Sequence, residues 1–423
     1  MQQPTTRSRA LPSLMEELVE EILLRLPPEE PPAHLVRAAM VCKAWRRILS
    51  DGGFRRRYCR FHRDRRAMPT LLGYVCRSST GPGPQFVPTT SYFSPPPLPT
   101  RYGYRAIDCR HGRVLIRVAS EDDSREDLIV CSLVTGIRHH LSFPACTHKH
   151  RAYDCMCSFT WAVLCARHQR GGCDHLHCHS GPFLVVSVQT DYQAVGEHTL
   201  HMRVSVYSSE TGAWSAQTAY CAIQNHCDVG GCMNPNLLIG DALYFIVACH
   251  VIKILRYDLC GHGLSVIDAP QLVFSEIVLI EIDGGPGIVQ LDHDCSVYTW
   301  SLRHVDAYGV GEWVRHNNVV QLETMIPTIY DIRYPEDYTI RFAEGTNTVL
   351  LGLYGIGVFT LDLNSRQLRE VNFNETCGKN CMLPYVSFYI PGIPLVPFFN
   401  FLSSHDPLMN MQSHDQTKCD NGT

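Results

Sequence analysis

Between Leu14 and Leu49 apolar side chains return every three or four positions, the spacing of helices that bury one face. Leu14, Leu18 and Ile22 fall on one stripe, and Val19, Leu23 and Leu26 on the stripe beside it. Ser13 stands in capping position with Glu16 three residues on, the two ends of a capping box. Glu16, Glu17, Glu20 and Glu21 load the N-terminal half and Arg25 the C-terminal end, which suits the helix dipole. Pro27 and Pro28 stop the helix. A second helix is predicted from Pro31-Pro32, burying Leu35, Ala39 and Cys42. The spacing runs on through Trp45, Ile48 and Leu49 until Asp51-Gly52-Gly53 interrupts it. Helices this short bury too little surface to stand alone, so the pattern predicts a module completed against another protein.

After Met68 the texture becomes strand-like. One unit of short apolar strands and turns returns at 112–143, 183–214, 241–267, 287–320 and 348–371. Thr-Gly or Asn-Ser marks several of its turns, as expected of antiparallel hairpins. Repeats of roughly 40–60 residues built this way predict a β-propeller, in which each blade covers its neighbour's apolar face. A sixth blade is expected from strands within 71–87 closed by C-terminal strands near 385–390. A β-sandwich or a pair of stacked sheets is the alternative. The Pro-, Ser-, Thr- and Gly-rich stretches 78–84 and 88–100 are read as loops of this domain, because apolar strand segments are embedded among them. The expected fold class is α+β multidomain, with an all-α module over 11–66, an all-β, propeller-like repeat domain over 67–402 and a polar tail over 403–423.

The helical segment resembles the F-box family, whose pattern is a Leu-Pro start, Glu-Ile-Leu-x-Arg-Leu-Pro, then Val-Cys-Lys-x-Trp-Arg and a distal Phe. Glu21-Ile22-Leu23-Leu24-Arg25-Leu26-Pro27, Val41-Cys42-Lys43-Ala44-Trp45-Arg46 and Phe54 match it. In register with Ile22 the start falls on Leu14-Met15, while Leu11-Pro12 lies three residues early. The resemblance implies docking onto the Skp-type adaptor of a cullin-based ubiquitin ligase. It places Leu18, Ile22, Leu23, Leu26, Pro27, Val41, Cys42 and Trp45 at or beneath the adaptor interface. The segments 106–116 and 204–214 also look like the repeat domains that accompany F-boxes in plants, especially grasses. Together these imply a substrate-recognition subunit whose β domain binds an unknown protein target, with the transfer chemistry left to partner subunits.

Composition narrows the partners. Apolar residues make 45% of the chain and charged ones 18%, the balance of a globular protein. The opening MQQPTTRSRALPS has no apolar core for a signal peptide, and no run reaches membrane length, so no membrane partner is expected. Residues 1–66 carry 14 Lys and Arg against 8 Asp and Glu, and the remainder 23 against 33. The basic excess sits in Arg55, Arg56, Arg57, Arg60, Arg63, Arg65 and Arg66, with Phe54, Tyr58 and Phe61 at helical spacing between them. This reads as a last amphipathic helix with solvated arginines, and the acidic remainder argues against nucleic acid as the main partner. Twenty cysteines without an export signal read as mostly reduced thiols of a cytoplasmic or nuclear protein.

The densest chemistry is Cys165, His168, Cys173, Asp174, His175, His177, Cys178 and His179, preceded by Cys155 and Cys157. Zinc takes four nitrogen or sulfur ligands in a tetrahedron. Cys165 and His168 with Cys173 and Cys178, or with His175 and Cys178, would supply them. The spacing is not a pair of Cys-x2-Cys knuckles, and the cluster lies between apolar strands at 159–166 and 183–188. The expectation is therefore a polar rim loop and no cofactor. A catalytic or zinc-dependent propeller using 165–179 is the alternative. There is no G-x-S-x-G elbow, no phosphate-binding G-x-x-x-x-G-K-[ST] and no H-E-x-x-H helix. Gly284-Gly285-Pro286-Gly287 and Asp292-His293-Asp294 read as turns, so no enzyme activity is expected. Target contacts are expected from the long loops 120–127, 146–154, 167–182 and 191–201.

Overall fold

A computed structural model describes residues 15–26, 33–64, 70–78, 81–90, 93–119, 126–144, 158–167, 173, 175, 178–192, 199–224, 231–248, 251–272, 276–292, 294–305, 309–326, 329, 338–371 and 377–387. Four helices open the chain: α1 (Glu16–Leu24), α2 (Ala33–Val41), α3 (Lys43–Ser50) and α4 (Gly52–Asp64). Val19 and Leu23 of α1 pack with Leu35, Ile48, Leu49 and Phe54 in one small core. Met15 occupies the N-cap of α1 with no side-chain cap, whereas Ser13, expected to cap it, lies outside the described residues. Cys42, expected inside, is exposed, because it is the extended residue (φ −160°, ψ 168°) between α2 and α3 and not part of a buried helical stripe. Asp51, read as a helix breaker, also starts the next helix: its Oδ2 accepts the Phe54 N–H at 2.7 Å. On α4, Phe54 and Tyr58 are buried while Arg57 and Arg60 face solvent, as the amphipathic reading required. Among the described residues no helix is long and apolar enough to cross a membrane.

Six antiparallel sheets follow. The closing blade joins β1 (Thr70–Ser78) and β2 (Pro84–Pro88) to the distant β25 (Cys377–Ser387). The next holds β3 (Tyr104–Arg110), β4 (Arg113–Ala119), β5 (Glu126–Ser132) and β6 (Arg138–Ser142). The third holds β7 (Ser158–Cys165), β8 (Phe183–Tyr192) and β9 (Thr199–Ser208), with β10 (Ala213–Trp214) and β11 (Ala219–Gln224) both on β9. The fourth is β12 (Gly231–Ile239), β13 (Ala242–Ala248), β14 (Lys253–Asp258) and β15 (Leu264–Asp268). The fifth is β16 (Glu276–Ile282), β17 (Gly285–Leu291), β18 (Ser296–Val305) and β19 (Gly311–Arg315), with β20 (Val320–Gln321) beside β18. The sixth is β21 (Tyr338–Ala343), β22 (Thr348–Leu353), β23 (Gly357–Asp362) and β24 (Leu368–Val371).

Strands β3, β7, β12, β16, β21 and β25 each meet the next in turn, forming the inner ring of a six-bladed propeller. The expected sixth blade is present, with Val75 opposite Leu383 and Tyr74 opposite Pro384. Pairing the two ends of the domain in one sheet removes the open edge a linear array would leave. Phe93 and Leu98 of the proline-rich stretch are buried in this blade's core beside Phe86 and Tyr385, so the stretch belongs to the domain. Cys76 on β1 is disulfide-bonded, an exception to the expectation of reduced thiols.

Charge fills the centre of the ring. Arg110 on β3 grips Glu344, just past β21, through Nε to Oε2 at 2.6 Å and Nη2 to Oε1 at 2.5 Å. It also donates to Asp108 Oδ2 and to the Asn236 carbonyl of β12, both at 3.2 Å. Asp108 Oδ2 accepts the Val163 N–H of β7 at 2.7 Å, and Glu344 Oε1 accepts the Leu238 N–H at 3.2 Å. The Arg110 guanidinium thus ties three of the six blades, and the Asp108 carboxylate adds a fourth through β7. Burial pushes the Asp108 carboxyl up to about 6, against the opposing pull of Arg110 and the Val163 amide. A carboxyl raised on folding contributes stability that is fully present below its unfolded value near 4 and lost as pH rises through the folded value. Melting temperatures of the wild type and Asp108→Asn, measured from pH 4 to 7, should therefore diverge, the wild type losing ground between pH 4 and 6. Parallel curves would contradict the burial-driven shift.

Candidate functional site

The helical module leaves apolar side chains in solvent. Leu18 and Ile22, at i and i+4 on α1, are 48% and 46% exposed, and Met15 continues their stripe. Met40 and Val41, at the end of α2, are 69% and 61% exposed, and Cys42 follows them into solvent. Of the residues the resemblance singled out, Leu18, Ile22, Val41 and Cys42 are thus outside, and Leu23 is buried in the core. Leu26 and Trp45 pack partly buried against that core, and Pro27 lies outside the described residues. Met15 and Met40 were missed in the sequence; their only signal is a large apolar side chain off the buried stripe. Beneath the exposed stripe α1 is held firmly. Tyr58 donates to the Leu26 carbonyl at 2.8 Å, and the His62 ring lies 2.9 Å from the Leu24 carbonyl.

On the propeller, Cys165 ends β7 and Cys178 opens a single 3-10 turn, Cys178–Ser180, before β8. Cys165, Cys173, His175 and Cys178 present ligand atoms all within 4.8 Å of one another. His175, not a ligand in the first expected set, stands with the three thiols, and His168 lies outside the described residues. Cys178 Sγ is 3.7 Å from His175 Nδ1. A hydrogen bond from Cys178, and then one from His175, hold the Cys165 thiol well below its ordinary range despite burial. The Cys178 thiol is pushed up, first by that bond to Cys165 and then by burial.

The turn of the neighbouring blade supports this loop. His111 (φ 53°) and Gly112 (φ 77°) form the β3–β4 turn, the left-handed pair of a tight hairpin. A Cβ on Gly112 would lie 2.8 Å from His179 Cβ, so glycine also lets the loop approach. The His111 ring stacks on His175 at 3.9 Å and 8°, and its Nδ1 accepts the Cys165 N–H at 3.3 Å. Buried Arg113 donates to the Cys178 carbonyl and, at 2.6 Å, to the Gly181 carbonyl. Gly181 and Pro182 then line a cleft of about 450 Å³ with Arg138, His139, His140 and Tyr207.

Asp292 and Asp294 are held in backbone hydrogen bonds. The Asp292 carbonyl accepts the Cys295 N–H at 2.9 Å, and Asp294 Oδ1 accepts the Ser296 N–H at 2.9 Å, which makes this the turn into β18. The expected contact loop 146–154 and most of 120–127 and 191–201 lie outside the described residues.

Family comparison identifies an F-box-like domain at residues 12–60. Residues 105–387 match the family described as F-box protein AT5G49610-like, beta-propeller. No curated protein matches the chain. Similar solved structures include prolyl oligopeptidase B from Galerina marginata bound to a 35mer hydrolysis and macrocyclization substrate, at 10% identity and a TM-score of 0.33. That likeness covers 66% of this chain and 33% of the other, so this chain spans about a third of that protein's length. They also include the SapL1 lectin in complex with alpha methyl fucoside, at 9% identity and a TM-score of 0.38, covering 72% of this chain and 98% of the lectin. Nothing about this chain's chemistry follows from likenesses so distant. The propeller match spans most of the chain and the F-box match stands ahead of it, so the chain belongs to the F-box protein AT5G49610-like β-propeller family.

Proposed function

We propose that this protein is the substrate-recognition subunit of a Skp-cullin-F-box ubiquitin ligase. Its helical module docks a Skp-type adaptor, and through it a cullin, while the propeller holds a protein target. The observation that carries this reading is the exposed apolar stripe of an F-box-like module on the same chain as a closed propeller. Leu18, Ile22, Val41 and Cys42, joined by Met15 and Met40, form the docking face. Leu23 acts from beneath as core, and Leu26 and Trp45, partly buried against it, shape its edge. No chemistry is required of the chain itself: tethering a target near the transferring subunits raises its effective concentration there.

Affinity capture from cell extract tests this division of labour. The intact chain should bring down adaptor, cullin and target together. Val41→Glu should reduce adaptor and cullin in parallel by roughly tenfold or more, since it puts a carboxylate where docking would bury an exposed apolar side chain. Targets held by the propeller should persist. Undiminished adaptor, or targets lost along with it, would count against the proposal.

A further inference from the structure

We propose that Cys165, Cys173, His175 and Cys178 bind one zinc ion, which clasps the loop after β7 onto the β3–β4 turn of the neighbouring blade. This reverses the sequence-based preference for a metal-free polar loop. A tetrahedral site with Zn–S of about 2.3 Å and Zn–N of about 2.0 Å has ligand-to-ligand edges of about 3.5–3.8 Å. The Cys178–His175 edge is already 3.7 Å, and the whole set lies within 4.8 Å, so small side-chain rotations close the tetrahedron. None of the three thiols is in a disulfide. Three sulfurs and an imidazole exclude magnesium and calcium, which take oxygen ligands, and favour zinc. All four positions are filled by the protein, which marks a structural site with no open position for substrate.

The surroundings suit a thiolate-bound cation. The His175 N–H points at Cys173 Sγ at 3.4 Å, and the Arg167 N–H at Cys165: outer partners of the kind that orient ligands and spread thiolate charge. Three thiolates and Zn²⁺ leave one net negative charge, and the Arg113 guanidinium is anchored beside it on the Cys178 and Gly181 carbonyls. Stacked His111 fixes the plane of the His175 ring. Because these supports come from the preceding blade, the metal would lock two blades together at this rim and set the Gly181–Pro182 wall of the adjoining cleft.

Elemental analysis of the purified full-length protein should find about one zinc per chain. Co²⁺ exchanged into it should show the intense visible absorption of tetrahedral thiolate-bound cobalt. Cys173→Ser and His175→Ala should each weaken Zn²⁺ binding more than tenfold, whereas His168→Ala and Cys260→Ser should keep full occupancy. Should a ligand variant fail to fold, the Co²⁺ spectrum and zinc content of the wild type still decide. Substoichiometric zinc after folding in its presence, with no tetrahedral Co²⁺ spectrum, would overturn the proposal. So would loss of zinc in His168→Ala with retention in His175→Ala.

Discussion

Arg110→Ala should destabilise the propeller by roughly 3–5 kcal/mol, the cost of breaking a buried ion pair from one side. Arg110 and Asp108 are nearly inaccessible to water, and the alanine would strand both Asp108 and Glu344 in the ring's centre. It would also free the Asn236 carbonyl and so loosen three blades at once. Urea midpoints of wild type and variant measure the difference. A useful contrast is Arg25→Ala on α1, whose pairing with Glu21 is exposed on both sides and should cost well under about 1 kcal/mol. If Arg110→Ala cost no more than Arg25→Ala, the axial network would be ornamental.

The second large effect lies at the helical module. Leu18→Glu combined with Ile22→Glu should weaken adaptor binding about 100-fold or more. Each side chain is about half exposed and stands to gain about 1 kcal/mol or more on burial, and a carboxylate in its place adds a desolvation cost. Since 1.4 kcal/mol is a factor of ten, the pair accounts for about two decades. Neither residue belongs to the module's core, which rests on Val19 and Leu23, so helical circular dichroism should be unchanged. Leu23→Ala acts by the opposite route. It empties a fully buried position at a cost of about 2–5 kcal/mol, and binding should fall together with the helical signal. Binding affinity and helicity measured on the same two variants therefore separate docking from folding. Equal loss of helicity in both would place Leu18 and Ile22 in the core.

What was legible in the sequence followed from patterns that burial imposes. The Val19 and Leu23 stripe of the first helix and the middle and outer strands of five blades stood out because they bury apolar side chains, whereas the neighbouring Leu18 and Ile22 stripe had the same spacing but lies in solvent. The closing blade was legible because 71–87 and the strand near 385 lacked other partners. The inner strands β12, β16 and β21 were not recognised, and their chemistry explains why. They carry Asn236, Glu276 and Arg341 toward the crowded centre, where polar groups find partners: Asn236 Nδ2 donates to the Trp161 carbonyl at 2.7 Å, and Arg341 Nη1 to Glu276 at 3.2 Å. Polar residues at buried positions break the alternation by which a strand is read. The cluster of three thiols and an imidazole proposed to bind zinc was half legible. Cysteine and histidine density marked the loop, but spacing alone could not choose His175 over His168. That choice depends on the left-handed turn at His175 (φ 58°) and on the ring of His111 from another blade.

On the proposed function, the exposed stripe of the helical module exists to meet an adaptor. Mixing the purified full chain with a purified Skp-type adaptor at micromolar concentration, and measuring mass by light scattering during size exclusion, tests it most directly. A single species with the mass of one chain plus one adaptor should elute, absent with the Leu18→Glu, Ile22→Glu variant. Two separate monomers eluting from the wild-type mixture would contradict it.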